Sequence, residues 1–155
     1  MNAIDDVNNI VSTMDDADRR LLGLRGKEYQ TPEENQKVVK RFIKRIDGVP
    51  VSFIDLTGDS TGIAVTIGTR SGDRYRNKGY AKSVAKEAEK WLVEHRGEFD
   101  QVVWWCRKEN SASMKIAEDI GFNLDESSVI PDDPWIKYRY EKKNELTKTM
   151  VEDIP

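Results

Sequence analysis

Arg76-Asn77-Lys78-Gly79-Tyr80-Ala81 is the stretch of this sequence best suited to hold an anion. It follows an alternating apolar run, Ile63-Ala64-Val65-Thr66-Ile67, and opens an amphipathic helical stretch from Ala81 to about Glu94. A strand that turns through a cationic, glycine-containing loop into a helix leaves several backbone N–H groups unpaired and aimed at one spot. That spot is also the positive end of the helix dipole. Gly79 has no Cβ, so an anion can approach the backbone closely, and Arg74, Arg76, Lys78 and Lys82 add cations around it. Phosphate or pyrophosphate is the simplest ligand for such a loop. A plain turn with solvated charges is the competing reading of the same residues. The loop lacks the lysine-serine/threonine ending of a P-loop and the glycine triplet of a dinucleotide fingerprint.

Further along, Asn110-Ser111-Ala112-Ser113 begins a second helical stretch after the apolar run Val102-Val103-Trp104-Trp105-Cys106. That stretch closes at Gly121-Phe122. Together, Arg-x-x-Gly-x-Ala and Asn-x-x-Ser…Gly-Phe resemble the GNAT family, the GCN5-related N-acetyltransferases that use acetyl-CoA. The resemblance covers roughly residues 37–142. It implies an α+β fold, with a mostly antiparallel twisted sheet flanked by helices. It implies acetyl-CoA as the cofactor and an amine as the acceptor. By the same resemblance, Thr69, Arg70 and Ser71 would pair with the pantetheine arm, their N–H groups stabilising the developing oxyanion. Arg76, Asn77, Lys78, Gly79, Tyr80, Ala81 and Lys82 would surround the pyrophosphate. Asn110 and Ser113 match positions on the pantetheine or adenosine side, and helix capping is the alternative for both. The family's sheet splays between the coenzyme strand and the strand ending here at Cys106, and the acyl group would sit in that gap.

The family often has a tyrosine seven residues after this asparagine, as general acid to the leaving thiolate; here that position is Ala117. Asn-x-x-Ser without the tyrosine resembles the branch that includes ribosomal-protein N-terminal acetyltransferases. A thiol has a pKa of about 8.5, so thiolate leaves tolerably at neutral pH without help. A lysine amine, with a pKa of about 10.4, costs about 4–5 kcal/mol to hold neutral at pH 7, an α-amine about 1 kcal/mol. Deprotonating the acceptor is therefore the harder step. No glutamate lies on the run from Ile63 to Ser71. Asp55, on the preceding strand, is the remaining candidate base, with an exposed turn carboxylate and a water chain as alternatives.

These residues need elements to position them. With 155 residues the chain suffices for one domain with a single core. Ile4, Val7, Ile10/Val11 and Met14 recur at helical spacing, and a shorter helix carries Ala17, Leu21, Leu22 and Leu24 before Gly26. The family places a strand ahead of its first two helices. None is legible here, so either that strand is absent or the chain is a piece of a longer protein. Thr31-Pro32-Glu33-Glu34 reads as a turn. Lys37–Ile46 and Val49–Leu56 read as strands joined by Asp47-Gly48, a hairpin signal, with a second turn over 57–62. The helix after the loop buries Ala81, Val84, Ala85, Ala88, Trp91 and Leu92, and Gly97 marks its end. Val102–Cys106 reads as a buried central strand, and Ala112, Ile116, Ala117 and Ile120 as the inner face of the next helix. Leu124–Ile130 and Trp135–Tyr140 read as a final β pair. Residues 1–142 are expected to form one domain, 1–36 a variable helical segment and 37–142 the coenzyme-binding core, with 143–155 a flexible tail.

The net charge of −3, with both signs mixed, argues against a general nucleic-acid binder. One cysteine, Cys106, excludes an internal disulfide framework, and no apolar run has transmembrane length. A cytoplasmic monomer or homodimer is the expectation. So is an N-acetyltransferase moving acetyl from acetyl-CoA to a primary amine. The alternative is a non-catalytic acyl-CoA-binding module. Ala117 and the missing base favour the alternative; the loop fits both.

Overall fold

The structure, a computed structural model of the chain, describes residues 3–21 and 38–140. Helices α1 (Ala3–Ser12) and α2 (Asp16–Leu21) come first, then strands β1 (Val38–Ile46), β2 (Val49–Asp59) and β3 (Gly62–Thr69). Helix α3 (Tyr80–His95), strand β4 (Val102–Arg107), helix α4 (Ser111–Asp119) and strands β5 (Phe122–Leu124) and β6 (Trp135–Tyr140) follow. The strands form one sheet in the order β1-β2-β3-β4-β6-β5. Every neighbouring pair is antiparallel except β3 and β4. This is the mixed, mostly antiparallel α+β architecture that the sequence leads one to expect. Among the described residues no strand precedes α1, and no helix is long and apolar enough to cross a membrane.

The first hairpin turns where Asp47-Gly48 predicts. Both residues are left-handed, at φ 50° and 80°, the geometry that matches the twist of the flanking strands. The second turn is shorter than the sequence implies. Thr57, Gly58 and Asp59 stay in β2 and pair with Ala64, Ile63 and Gly62. A Cβ on Gly58 would fall 2.1 Å from the Gly62 carbonyl, so only glycine lets the strands close this tightly. The Asp59 carboxylate then accepts the Thr61 N–H at 2.9 Å.

One face of the sheet carries the main core. Ile54, Leu56, Ile63, Val65, Val102, Trp104, Ile136 and Tyr138 pack there against Val84, Ala85, Ala88 and Leu92 of α3 and Ala117 and Ile120 of α4. Ala81 and Trp91, expected inside, are half-buried at its margin. Helix α1 and the turn after it cover part of the other face, placing Val7, Ile10, Val11 and Met14 on Phe53.

Three further sequence expectations change. Strand β4 is not apolar on both sides: it alternates, and Trp105 is 46% exposed. The inner face of α4 is Ser113, Ala117 and Ile120, while Ala112 is exposed and Ile116 half-buried. The strand read over Leu124–Ile130 ends at Leu124. There the Asp125 carboxylate accepts the Ser127 N–H at 3.1 Å, and the Ser128 hydroxyl accepts the Lys137 N–H at 2.9 Å. These bonds curl Glu126–Ser128 into a 3-10 turn, and Val129 and Ile130 remain exposed. Leu22 and Leu24, the turn at 31–34 and the tail at 143–155 lie outside the described residues.

Candidate functional site

The direction of the N–H groups along β3 defines the first part of the site. Ile63 donates to the Gln101 carbonyl at 3.0 Å, on the β4 side, and Arg70 donates to Val51 at 2.9 Å, on the β2 side. N–H groups alternate between the two edges of a strand, so those of Val65, Ile67 and Thr69 also face β4. The β3–β4 ladder runs only as far as Val65 opposite Trp104. Beyond that pair the strands part, and Ile67 and Thr69 turn their N–H groups into the gap. A cavity of about 180 Å³ occupies it, lined in part by Thr66, Ile67, Trp105, Cys106 and Trp135.

The second part is the start of α3. Its N-cap is Gly79 at φ 77°, with no side chain capping the helix. Ser83 makes the first intrahelical bond, to the Gly79 carbonyl at 2.9 Å. The N–H groups of Tyr80, Ala81 and Lys82 therefore have no helical acceptor. Asn77 is left-handed as well, at φ 56°. Two left-handed residues this close turn neighbouring N–H groups toward one side of the loop, the kind of concavity that binds anions. A Cβ built on Gly79 meets nothing within 4 Å, so the space above the glycine is open.

A larger cavity, about 430 Å³, joins the two parts. It runs from Ile67, Gly68 and Thr69 to Gly79, Tyr80, Ala81 and Lys82, with Arg70, Arg76, Asn77, Asn110 and Ser113 on its walls. Leu21, Ile67, Asn110 and Ser113 also line the smaller cavity in the gap. Ten of the predicted cofactor residues are thus brought together: Thr69, Arg70, Arg76, Asn77, Gly79, Tyr80, Ala81, Lys82, Asn110 and Ser113. Ser71 and Lys78 are not on its walls.

Several of these side chains already have partners. Arg70 is buried, its Nε donating to the Pro50 carbonyl at 2.6 Å and its Nη2 to Asn9. It therefore anchors α1 to the sheet, and its backbone N–H is taken by Val51. Asn110 is the N-cap of α4, accepting the Ser113 N–H at 3.1 Å. The buried Ser113 hydroxyl accepts the Trp104 indole N–H at 3.0 Å. Arg76 Nη2 donates to Asp15 and to Asp18, 2.8 Å each. Hydrogen bonding and charge from Asp18, with the charges of Asp15 and Asp73, raise the Arg76 pKa above the ordinary arginine value.

Asp55 is neither an exposed turn carboxylate nor a wall of either cavity. It is fully buried in β2, and Arg41 of β1 grips it through Nε at 2.7 Å and Nη2 at 2.9 Å. Burial lifts the Cys106 thiol to about 11, so it stays protonated at neutral pH. His95, near the far end of α3, stacks on Trp91 and donates Nδ1 to the Trp91 carbonyl at 2.8 Å. Ala117 is fully buried in the core. Sequence reasoning missed Met14, Asp18 and Leu21 as cavity walls, and Trp105 and Trp135 as walls of the gap. Ala112 and Ile116, read from sequence as the inner face of α4, also line the larger cavity.

Comparison with known proteins agrees with this fold. The family described as Acetyltransferase (GNAT) domain matches residues 6–123. No curated protein sequence matches the chain. Among solved structures, a GNAT-family acetyltransferase from Bacillus anthracis is similar with a TM-score of 0.59 at 20% identity, covering 88% of this chain and 87% of that one. The ribosomal-protein-S18-alanine N-acetyltransferase from Escherichia coli is similar with a TM-score of 0.63 at 15% identity, covering 88% and 85%. The PaiA N-acetyltransferase from Thermoplasma acidophilum, in complex with coenzyme A, gives 0.59 at 14% identity, covering 88% and 92%. At these identities the likeness is one of fold.

Proposed function

This chain belongs to the GNAT acetyltransferase family, and we propose that it transfers acetyl from acetyl-CoA to a primary amine, with peptide α-amines as the favoured acceptors. The observation that carries the reading is the continuity of the larger cavity. It links two strand N–H groups facing the gap to three uncapped helix N–H groups at Gly79. That is one long site with oxyanion donors at one end and an anion cradle at the other. The open space over Gly79 fits a diphosphate, because any side chain there would fill it.

In this reading the pantetheine arm lies along Ile67–Thr69 and places the thioester carbonyl in the gap. The N–H groups of Ile67 or Thr69 stabilise the charge that develops on the carbonyl oxygen. The amine nitrogen attacks the carbonyl carbon, a C–N bond forms, and the C–S bond breaks. The amine loses a proton and the departing thiolate gains one. Ala117 supplies no acid for that step. Asp18 is the carboxylate among the described cavity residues, and Arg76 and Ser71 both hold it. Asp55 is held by Arg41. The described cavity residues therefore show no free carboxylate base, which favours acceptors whose amines cost little to hold neutral near pH 7.

The test is initial thiol release from acetyl-CoA against pH with two peptides. One has a free N-terminus; the other is blocked there and carries lysine. The α-amine peptide should be faster at pH 7, its rate climbing until the amine is neutral. Faster turnover of the lysine peptide at pH 7 would mean that a base acts in the gap, and would overturn the acceptor assignment.

A further inference from the structure

The link between α1 and α2 is tied to the glycine loop by a small set of polar contacts. Arg76 Nη2 donates to Oδ2 of both Asp15 and Asp18, at 2.8 Å each. The Ser71 hydroxyl donates to the same Asp18 oxygen, and the Asp15 N–H donates to the Ser71 hydroxyl at 2.9 Å. Asp15 also caps α2, its Oδ1 accepting the Asp18 N–H at 2.8 Å. One nitrogen of the Arg76 guanidinium thus already serves two carboxylates, and Arg76 and Asp18 both line the larger cavity.

We propose that Asp15 and Asp18 are positioning residues for the cofactor: they compete with its diphosphate for Arg76 and so set how tightly it is held. The inference rests on the acetyl-CoA reading above. A diphosphate at Gly79–Lys82 and the two carboxylates carry the same sign and face the same cation. Either Arg76 stays with α2 and contributes less to the phosphates, or it turns to them and leaves Asp15 and Asp18 unpaired beside an anion. Both outcomes weaken binding relative to a site without the two charges. The Asp15 and Asp18 side chains are 50% and 24% exposed, so solvent screens the effect and each charge is worth only a small factor. Asparagine caps a helix about as well as aspartate, so replacing both removes charge while leaving the start of α2 intact.

The experiment is calorimetric titration of wild type and Asp15→Asn/Asp18→Asn with acetyl-CoA, dephospho-coenzyme A and pantetheine. The double variant should bind the two diphosphate ligands about threefold to tenfold more tightly and pantetheine as wild type does. Asp15→Glu/Asp18→Glu, which keeps the charges, should not tighten binding. Unchanged or weaker affinity for the diphosphate ligands in the double asparagine variant would overturn the proposal. Equal tightening for pantetheine would also overturn it, because it would reflect a repacked α2 wall. If the double variant does not fold, each single asparagine variant carries the same test. Wild type that binds neither acetyl-CoA nor pantetheine would sink the acetyl-CoA reading instead. Inorganic pyrophosphate would then read the competition for Arg76 directly, with tighter binding by the double variant expected and unchanged binding overturning it.

Discussion

Two helices begin at the same cavity, and they begin in opposite ways. Helix α3 starts at a left-handed glycine with no side-chain cap, and its first N–H groups face open space. Helix α4 starts at Asn110, which caps it, and its first buried hydroxyl, on Ser113, is bound by Trp104. With glycine at the N-cap, the uncapped start forgoes only about a few tenths of a kcal/mol of helix stability. That deficit is tolerable where a ligand supplies the missing acceptors. On the proposed reading the two starts have separate work: α3 would offer donors to a guest, and α4 braces the wall beside it. Both were candidate ligand positions in the sequence, because a cap and a ligand contact draw on the same residue types.

The comparison is most easily broken at Gly79. Gly79→Glu puts a carboxylate where the diphosphate is placed, and should weaken acetyl-CoA binding by at least on the order of tenfold. No protein atom lies within 4 Å of the added Cβ, but φ 77° is strained for glutamate, by about 1–2 kcal/mol. Melting should therefore fall modestly while binding collapses. Lys86→Ala is the control. Lys86 pairs at 3.4 Å with Glu89 on the exposed side of α3, and its loss should leave affinity within about twofold. Equal calorimetric affinities for wild type and Gly79→Glu would take the loop out of the site.

The smaller effect sharpens the other side. Ser113→Ala leaves the Trp104 indole N–H buried without its acceptor, which should destabilise the protein by about 1–3 kcal/mol. Its effect on acetyl-CoA binding should be below that of Gly79→Glu. Denaturant unfolding and titration separate the two. A variant that unfolds like wild type but no longer binds would make the start of α4 a ligand site and erase the contrast between the helices.

The local parts of this molecule were legible from sequence. Asp47-Gly48 can adopt the left-handed pair a two-residue hairpin needs, and Gly79 has the freedom an uncapped helix start needs. The alternation of β3 and the apolar stripe of α3 follow from burial on one face. What sequence hid were the choices made between distant residues. Asp55 looked like a carboxylate near the chemistry until Arg41, across the β1–β2 ladder, claimed it. Arg76 looked like a free phosphate ligand until the cap and first turn of α2 placed two aspartates against it. Val129 and Ile130 carry strand-forming side chains, yet the bonds from Asp125 and Ser128 bend the chain before they can pair. A β-branched run shows only that a strand is affordable, and the neighbouring edge decides whether it forms.

The most direct test of the continuous site is a melting comparison of acetyl-CoA, coenzyme A and ATP. A ligand at one hundred times its Kd stabilises the native state by about 2.7 kcal/mol, which for a chain of this size is about 5–10 °C. Acetyl-CoA and coenzyme A should both raise the melting temperature by that order, and ATP should not match them, since it has phosphates but no arm to lie along Ile67–Thr69. A melting curve that millimolar acetyl-CoA leaves in place while ATP moves it would show a phosphate loop without a coenzyme strand, and would contradict the joined site.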